Sequence, residues 1–77
     1  MKKGDYIEQA NTETIALVMD QLKNGSFKVL AHDWRGRVVQ QTTSGWYPVP
    51  VVIDKSAVPE KIIKKIEKYL SNKAKYS

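Results

Sequence analysis

The stretch Thr14–Asp33, TIALVMDQLKNGSFKVLAHD, decides how the rest of the chain is read. Two runs rich in apolar and β-branched residues flank Asn24-Gly25, a pair suited to a tight turn because it tolerates positive φ. The pattern predicts a β-hairpin with a two-residue type I′ loop. In that register Leu22 faces Phe27, Met19 faces Leu30 and Val18 faces Ala31. Alternate residues of a strand point to opposite faces. Val18, Leu22, Phe27, Val29 and Ala31 therefore share one side, and Ile15, Leu17, Met19 and Leu30 the other. Both sides are apolar near the base, so the ribbon is expected to be covered on both, one side by other strands and the other in part by a helix. Asp20 interrupts the first side, and a bulge there would turn it outward.

Working outward, Asp33 to Gly36 is a turn by composition, Arg37 to Thr43 a strand, and Ser44-Gly45 a second tight turn. Beyond it Tyr47, Val49, Val51 and Ile53 alternate with Trp46, Pro48, Pro50 and Val52. Each proline removes a ladder donor, so this segment reads as an edge strand or an extended stretch that becomes a strand at Val51 to Ile53. On the other side of the hairpin, Tyr6 to Gln9 forms a short strand after Gly4. The sum is four or five short antiparallel strands followed by one helix, a mainly β, α+β domain built as a small barrel or a curled sheet. The opening KKGDYI, residues 2–7, resembles the first strand of SH3-like small β-barrels, and the order of hairpins is compatible with that superfold. The likeness covers about the first three-quarters of the chain. It implies binding modules of many kinds and no single function.

The helix is carried by PEKIIKKIEKYLSNKAK, residues 59–75. At about 100° per residue, Ile62, Ile63, Ile66, Tyr69 and Leu70 form one apolar stripe, and Lys61, Lys64, Lys65 and Lys68 gather on the far side with Glu60 and Glu67 between them. Pro59 suits a first turn, where its missing N–H has no intrahelical partner. Ser71 and Asn72 are the predicted stop. The 77 residues thus read as a single domain: a β body over 1–54, an amphipathic helix over 55–72 and a frayed tail over 73–77.

The formal charge of +5 is unevenly placed. Residues 1–54 hold six cations and six acids, whereas residues 55–77 hold seven lysines and two glutamates, so the whole excess sits on the helix and tail. A basic segment on a neutral body is a candidate docking element, although lysine is also a common residue of solvated helix faces. Cysteine is absent, which removes disulfides and thiolate metal sites. The longest apolar run, Ile15 to Met19, is too short to cross a bilayer. Met1 to Ala10 carries acids and lacks the apolar region of a signal peptide. A soluble, cytoplasmic protein is expected.

Catalysis finds little support. His32 is the single histidine, and its neighbour Asp33 should point to the opposite face, so the two are poorly placed to cooperate with Ser26, Thr42 or Ser44. No ligand pair has a metal spacing and no glycine-rich loop cradles phosphate, so neither enzyme activity nor a cofactor is expected. The candidate partner-binding residues are Trp34, Arg35 and Arg37 in DWRGR, Trp46 and Tyr47 in GWYPVP, and Lys61, Lys64, Lys65 and Lys68. Trp34 could stack on a ring and the two arginines could clamp an anion from one face, or Trp34 could simply lid the core. Trp46 and Tyr47 beside the prolines could line a groove, while Pro48 and Pro50 would also blunt an exposed edge. The preferred reading is a small non-enzymatic interaction module, an accessory subunit or inhibitor, docking an acidic protein through its basic helix and its aromatic, proline-rich edge. The alternative is a nucleic-acid-binding barrel using Trp34, Arg35, Arg37 and the helix lysines. The sequence is also compatible with a homodimer through residues 48–53.

Overall fold

A computed structural model describes residues 1–9, 14–33, 35–46 and 50–76, with side chains described as far as Asn72. Five strands, β1 (Tyr6–Gln9), β2 (Thr14–Gln21), β3 (Phe27–His32), β4 (Val38–Thr42) and β5 (Val51–Ile53), form one antiparallel sheet in the order β4-β3-β2-β1-β5. A short 3-10 turn, Lys55–Ala57, leads to the helix α1 (Glu60–Tyr76). Among the described residues β4 and β5 are the two open edges, so the sheet is open and the expected closed barrel is not formed.

The central hairpin forms, but in another register. Leu22 N–H donates to the Ser26 carbonyl at 2.8 Å and Gly25 N–H to the Leu22 carbonyl at 3.1 Å, which leaves a three-residue loop, Lys23-Asn24-Gly25. Asn24 Oδ1 accepts from Ser26 N–H at 3.0 Å and from Ser26 Oγ at 2.6 Å, and Gly25 closes the loop at φ +87°. A two-residue reading leaves out that side-chain bracing. Gln21 therefore faces Phe27 and Asp20 faces Lys28. Met19 is then an extra residue, and below it Val18 faces Val29, Leu17 faces Leu30 and Ala16 faces Ala31. This bulge also takes Asp20 off the apolar side of Val18, as its charge requires.

Each face carries its own apolar cluster. Ile7, Ala16, Val18, Val29 and Ala31 are buried on one face, with Phe27, Val39 and Trp46 against them. Tyr6, Ile15 and Leu30 are buried on the other beneath Val58 and Ile66, with Leu17, Met19, Ile53, Ile62, Tyr69 and Leu70 packed around. Ile66 is 0% exposed, at the centre of the helix stripe.

The helix is reached through a capped turn. Asp54 Oδ1 accepts from Ser56 N–H at 3.0 Å and its carbonyl accepts from Ala57 N–H at 2.9 Å. Val58 then buries its side chain, and the Pro59 carbonyl accepts from Ile62 N–H at 2.9 Å and Ile63 N–H at 3.2 Å. Helix α1 runs past the predicted stop at Ser71-Asn72 to Tyr76, because Lys73, Ala74 and Lys75 favour continuation more than serine and asparagine oppose it. Two unequal losses are expected in urea unfolding. Ile66→Ala should cost about 2–5 kcal/mol by leaving a cavity, and Gly25→Ala about 1–2 kcal/mol by forcing a Cβ into left-handed backbone. A negligible loss from Ile66→Ala would show that the helix is not part of the cooperative core.

Candidate functional site

The turn between β3 and β4 repeats the chemistry of the first hairpin. Asp33 N–H donates to the Arg37 carbonyl at 2.9 Å and Gly36 N–H to the Asp33 carbonyl at 3.0 Å. The Asp33 carboxylate folds back over the turn, where its Oδ1 accepts from Arg35 N–H at 3.0 Å and Arg37 N–H at 2.8 Å. Its Oδ2 lies 3.5 Å from Arg37 Nε. The Arg37 N–H, with help from that of Arg35 and from the Arg37 charge, holds the Asp33 carboxyl below the usual carboxylate range although partial desolvation opposes it. Arg37 Nε is thereby engaged by its own turn, and Arg37 is not among the residues that line the recess between this turn and α1.

Helix α1 crosses this end of the sheet so that its first two turns lie beside the turn. Lys65, expected on the solvent face, is half-buried, and its Nζ donates to the Gly36 carbonyl at 3.0 Å. Gly36 is required by its backbone, and its missing side chain eases the approach of Lys65. Its φ is +79°, and a Cβ there would sit 3.1 Å from Lys65 Nζ. His32 has the same parity on β3 as Leu30, so it projects to the helix side, and Ile15 and Val38 lie opposite it on the neighbouring strands. His32, Arg35 and Gly36 from the hairpin, with Lys61, Ile62 and Lys65 from α1, line an open recess of about 450 Å³. No acidic side chain is among these lining residues. His32 Nε2 is buried and has no hydrogen-bond partner among the described residues. Burial, and after it the Lys65 ammonium, push the imidazole below its usual range; Asp33 opposes this and Lys61 adds to it.

The charges of α1 are sorted by flank. Lys61 and Lys65 border the recess, whereas Glu60 is 3.3 Å from Lys64 Nζ in an exposed pair. Glu67 lies toward Tyr6, where burial first and the Glu67 charge second hold the phenol above its ordinary range. Lys68 is exposed. Of the expected binding residues, then, Arg35, Lys61 and Lys65 come together, and Lys64 is drawn to Glu60. Trp46 is half-buried against the Ile7 and Val29 cluster. Trp34, Tyr47, Pro48 and Val49 lie outside the described residues. The β5 edge, with Val51 59% and Val52 48% exposed, is at the opposite side of the sheet from β4 and does not join the recess. His32 joins the site although its lack of a catalytic partner gives the sequence no reason to count it as a binding residue. Its parity with Leu30 is the signal that could have found it.

Among the described residues there is no cluster of three metal-ligating side chains and no helix long and apolar enough to cross a membrane. Comparison with protein-family models, curated proteins and solved structures finds no match to this chain.

The electrostatics of the recess make stability depend on pH. The folded imidazole holds its proton less tightly than the unfolded one, so the unfolded chain binds more protons as pH falls through about 6.5. Stability from His32 is thus present above that value and lost as pH drops through the folded midpoint. Lys65→Met should raise the His32 midpoint, read from its ring protons by NMR, and should reduce the loss of stability between neutral and mildly acidic pH. An unmoved midpoint would mean that the ammonium is not held beside the ring.

Proposed function

We propose that this chain is a small non-catalytic interaction module that docks an acidic protein partner through the basic flank of α1 and the β3–β4 turn. One observation carries the reading: Arg35, Lys61 and Lys65, from segments distant in sequence, converge on one recess whose lining residues include no acid. Converged cations around a concavity focus the field on an incoming anion and speed association more than scattered ones do. The fixed position of Lys65 on the Gly36 carbonyl supports the same view, because an ammonium already held in place loses less freedom on binding. The β5 edge, entered from Pro50, is a separate surface in this reading, available to a different contact. A cytoplasmic location belongs to the same proposal.

A matched pair of charge reversals tests it. Lys61→Glu and Lys64→Glu change the net charge equally, and neither should unfold the domain, since exposed ion pairs are worth only about 0–1 kcal/mol. Binding to poly-L-glutamate at low salt should weaken about three- to tenfold more for Lys61→Glu than for Lys64→Glu. Equal losses would show that only net charge matters and would remove the recess from the argument. Tighter and more steeply salt-dependent binding to random single-stranded DNA than to poly-L-glutamate would move the reading to nucleic acid.

A further inference from the structure

We propose that the recess between the β3–β4 turn and α1 is a subsite for a phosphomonoester dianion, presented by the acidic partner as a phosphorylated side chain. The inference rests on the reading that this face docks an anionic protein, and it names the group that the face selects. Arg35, Lys61 and Lys65 bring three full positive charges to the recess, and His32 brings a fourth when protonated. A carboxylate carries one negative charge on two oxygens and leaves most of that field unanswered. A phosphomonoester carries close to two charges on three oxygens and matches it.

The donors also fit. Lys65 uses one ammonium proton on the Gly36 carbonyl at 3.0 Å, which leaves two for a ligand and fixes the nitrogen at the lip of the recess. The nearest carboxylate, Asp33, accepts from the N–H groups of Arg35 and Arg37, lies beside the Arg37 guanidinium, and is not among the residues lining the recess. The groups facing His32 are Lys61 and Lys65 from α1 and Asp33 from its own hairpin, while Ile15 and Val38 opposite it are uncharged. In the free protein burial first, and then the Lys65 and Lys61 charges, disfavour imidazolium. A dianion seated among them reverses that field, so binding drives proton uptake at His32 and gives its unpartnered nitrogen a role.

The test uses the full chain and follows the single histidine by proton NMR. Three peptides of one acidic sequence carry phosphoserine, glutamate or serine at the same position, and inorganic phosphate is titrated alongside. Phosphoserine should bind at least about tenfold more tightly than glutamate, with the His32 midpoint rising on saturation. Lys65→Ala and Lys61→Ala should each abolish that preference; the second variant touches no structural hydrogen bond and guards against loss of fold in the first. Saturation by inorganic phosphate with the same His32 response supports the subsite and assigns it to the free anion. Equal affinity for phosphoserine and glutamate peptides overturns the subsite while leaving the acidic-partner reading intact. Failure of every peptide to bind overturns both, and preference for random single-stranded DNA over the phosphopeptide overturns it in favour of a phosphodiester backbone.

Discussion

Which face each side chain of the β2–β3 ribbon occupies depends on two irregularities that compensate one another. A strand repeats every two residues, so a slip of one residue exchanges its entire core face for its outer face. The loop Lys23-Asn24-Gly25 holds one residue more than a two-residue turn and by itself would impose that exchange. The extra residue at Met19 imposes a second one. Together they return Val18, Val29 and Ala31 to one cluster and Ile15, Leu17 and Leu30 to the other. Without the bulge, Asp20 would continue the apolar side of Val18. The burial cost of its carboxylate is a sufficient reason for the kink to sit where it does.

This compensation explains how the fold could be read from the sequence while its register could not. Periodicity reports parity, and parity survives a shift of two, so the face assignments below the bulge stand although every predicted cross-strand pair is displaced; above it the shift is one, and Gln21 takes the place beside Phe27 that alternation predicted for Leu22. The loop length is decided by Asn24 bonding to Ser26, a side-chain contact that alternation does not express. The helix stripe was legible because Ile62, Ile66, Tyr69 and Leu70 recur at helical spacing. Its end was not, since lysine and alanine after Asn72 carry no stop signal. The site was legible in its parts: arginine beside the turn and lysines on the helix. That Arg35 and Lys65 meet depends on how α1 crosses the sheet, which no local pattern encodes.

The basic recess and the fold are connected through one glycine. Gly36 allows the turn its left-handed backbone and leaves the space in which Lys65 approaches its carbonyl. A helix lysine that would otherwise belong to the solvated face becomes a strap between α1 and the β3–β4 hairpin. The same strap brings a positive charge to His32, where it adds to burial in lowering the imidazole pKa. On the other flank Glu60 and Glu67 give the helix an opposite character, with Glu67 acting on Tyr6. A chain with a simple net surplus of lysine is in this way polarised across one helix.

The strand order carries a consequence for how the domain comes apart. Strands β1 to β4 pair as sequence neighbours, but β5 reaches back to β1, with Ile7 opposite Val52. Ordering so short a strand across so long a loop costs chain entropy that three residues of ladder hardly offset. The helix supplies the difference. Ile53, Val58 and Ile66 share one apolar cluster with Tyr6, so β5 is held down by the α1 docked beyond it. Strand β5 and α1 thus bear on one cluster, β5 from the sheet edge and α1 from above the face. Lifting α1 from the sheet would uncover Tyr6, Leu30 and Ile53 together.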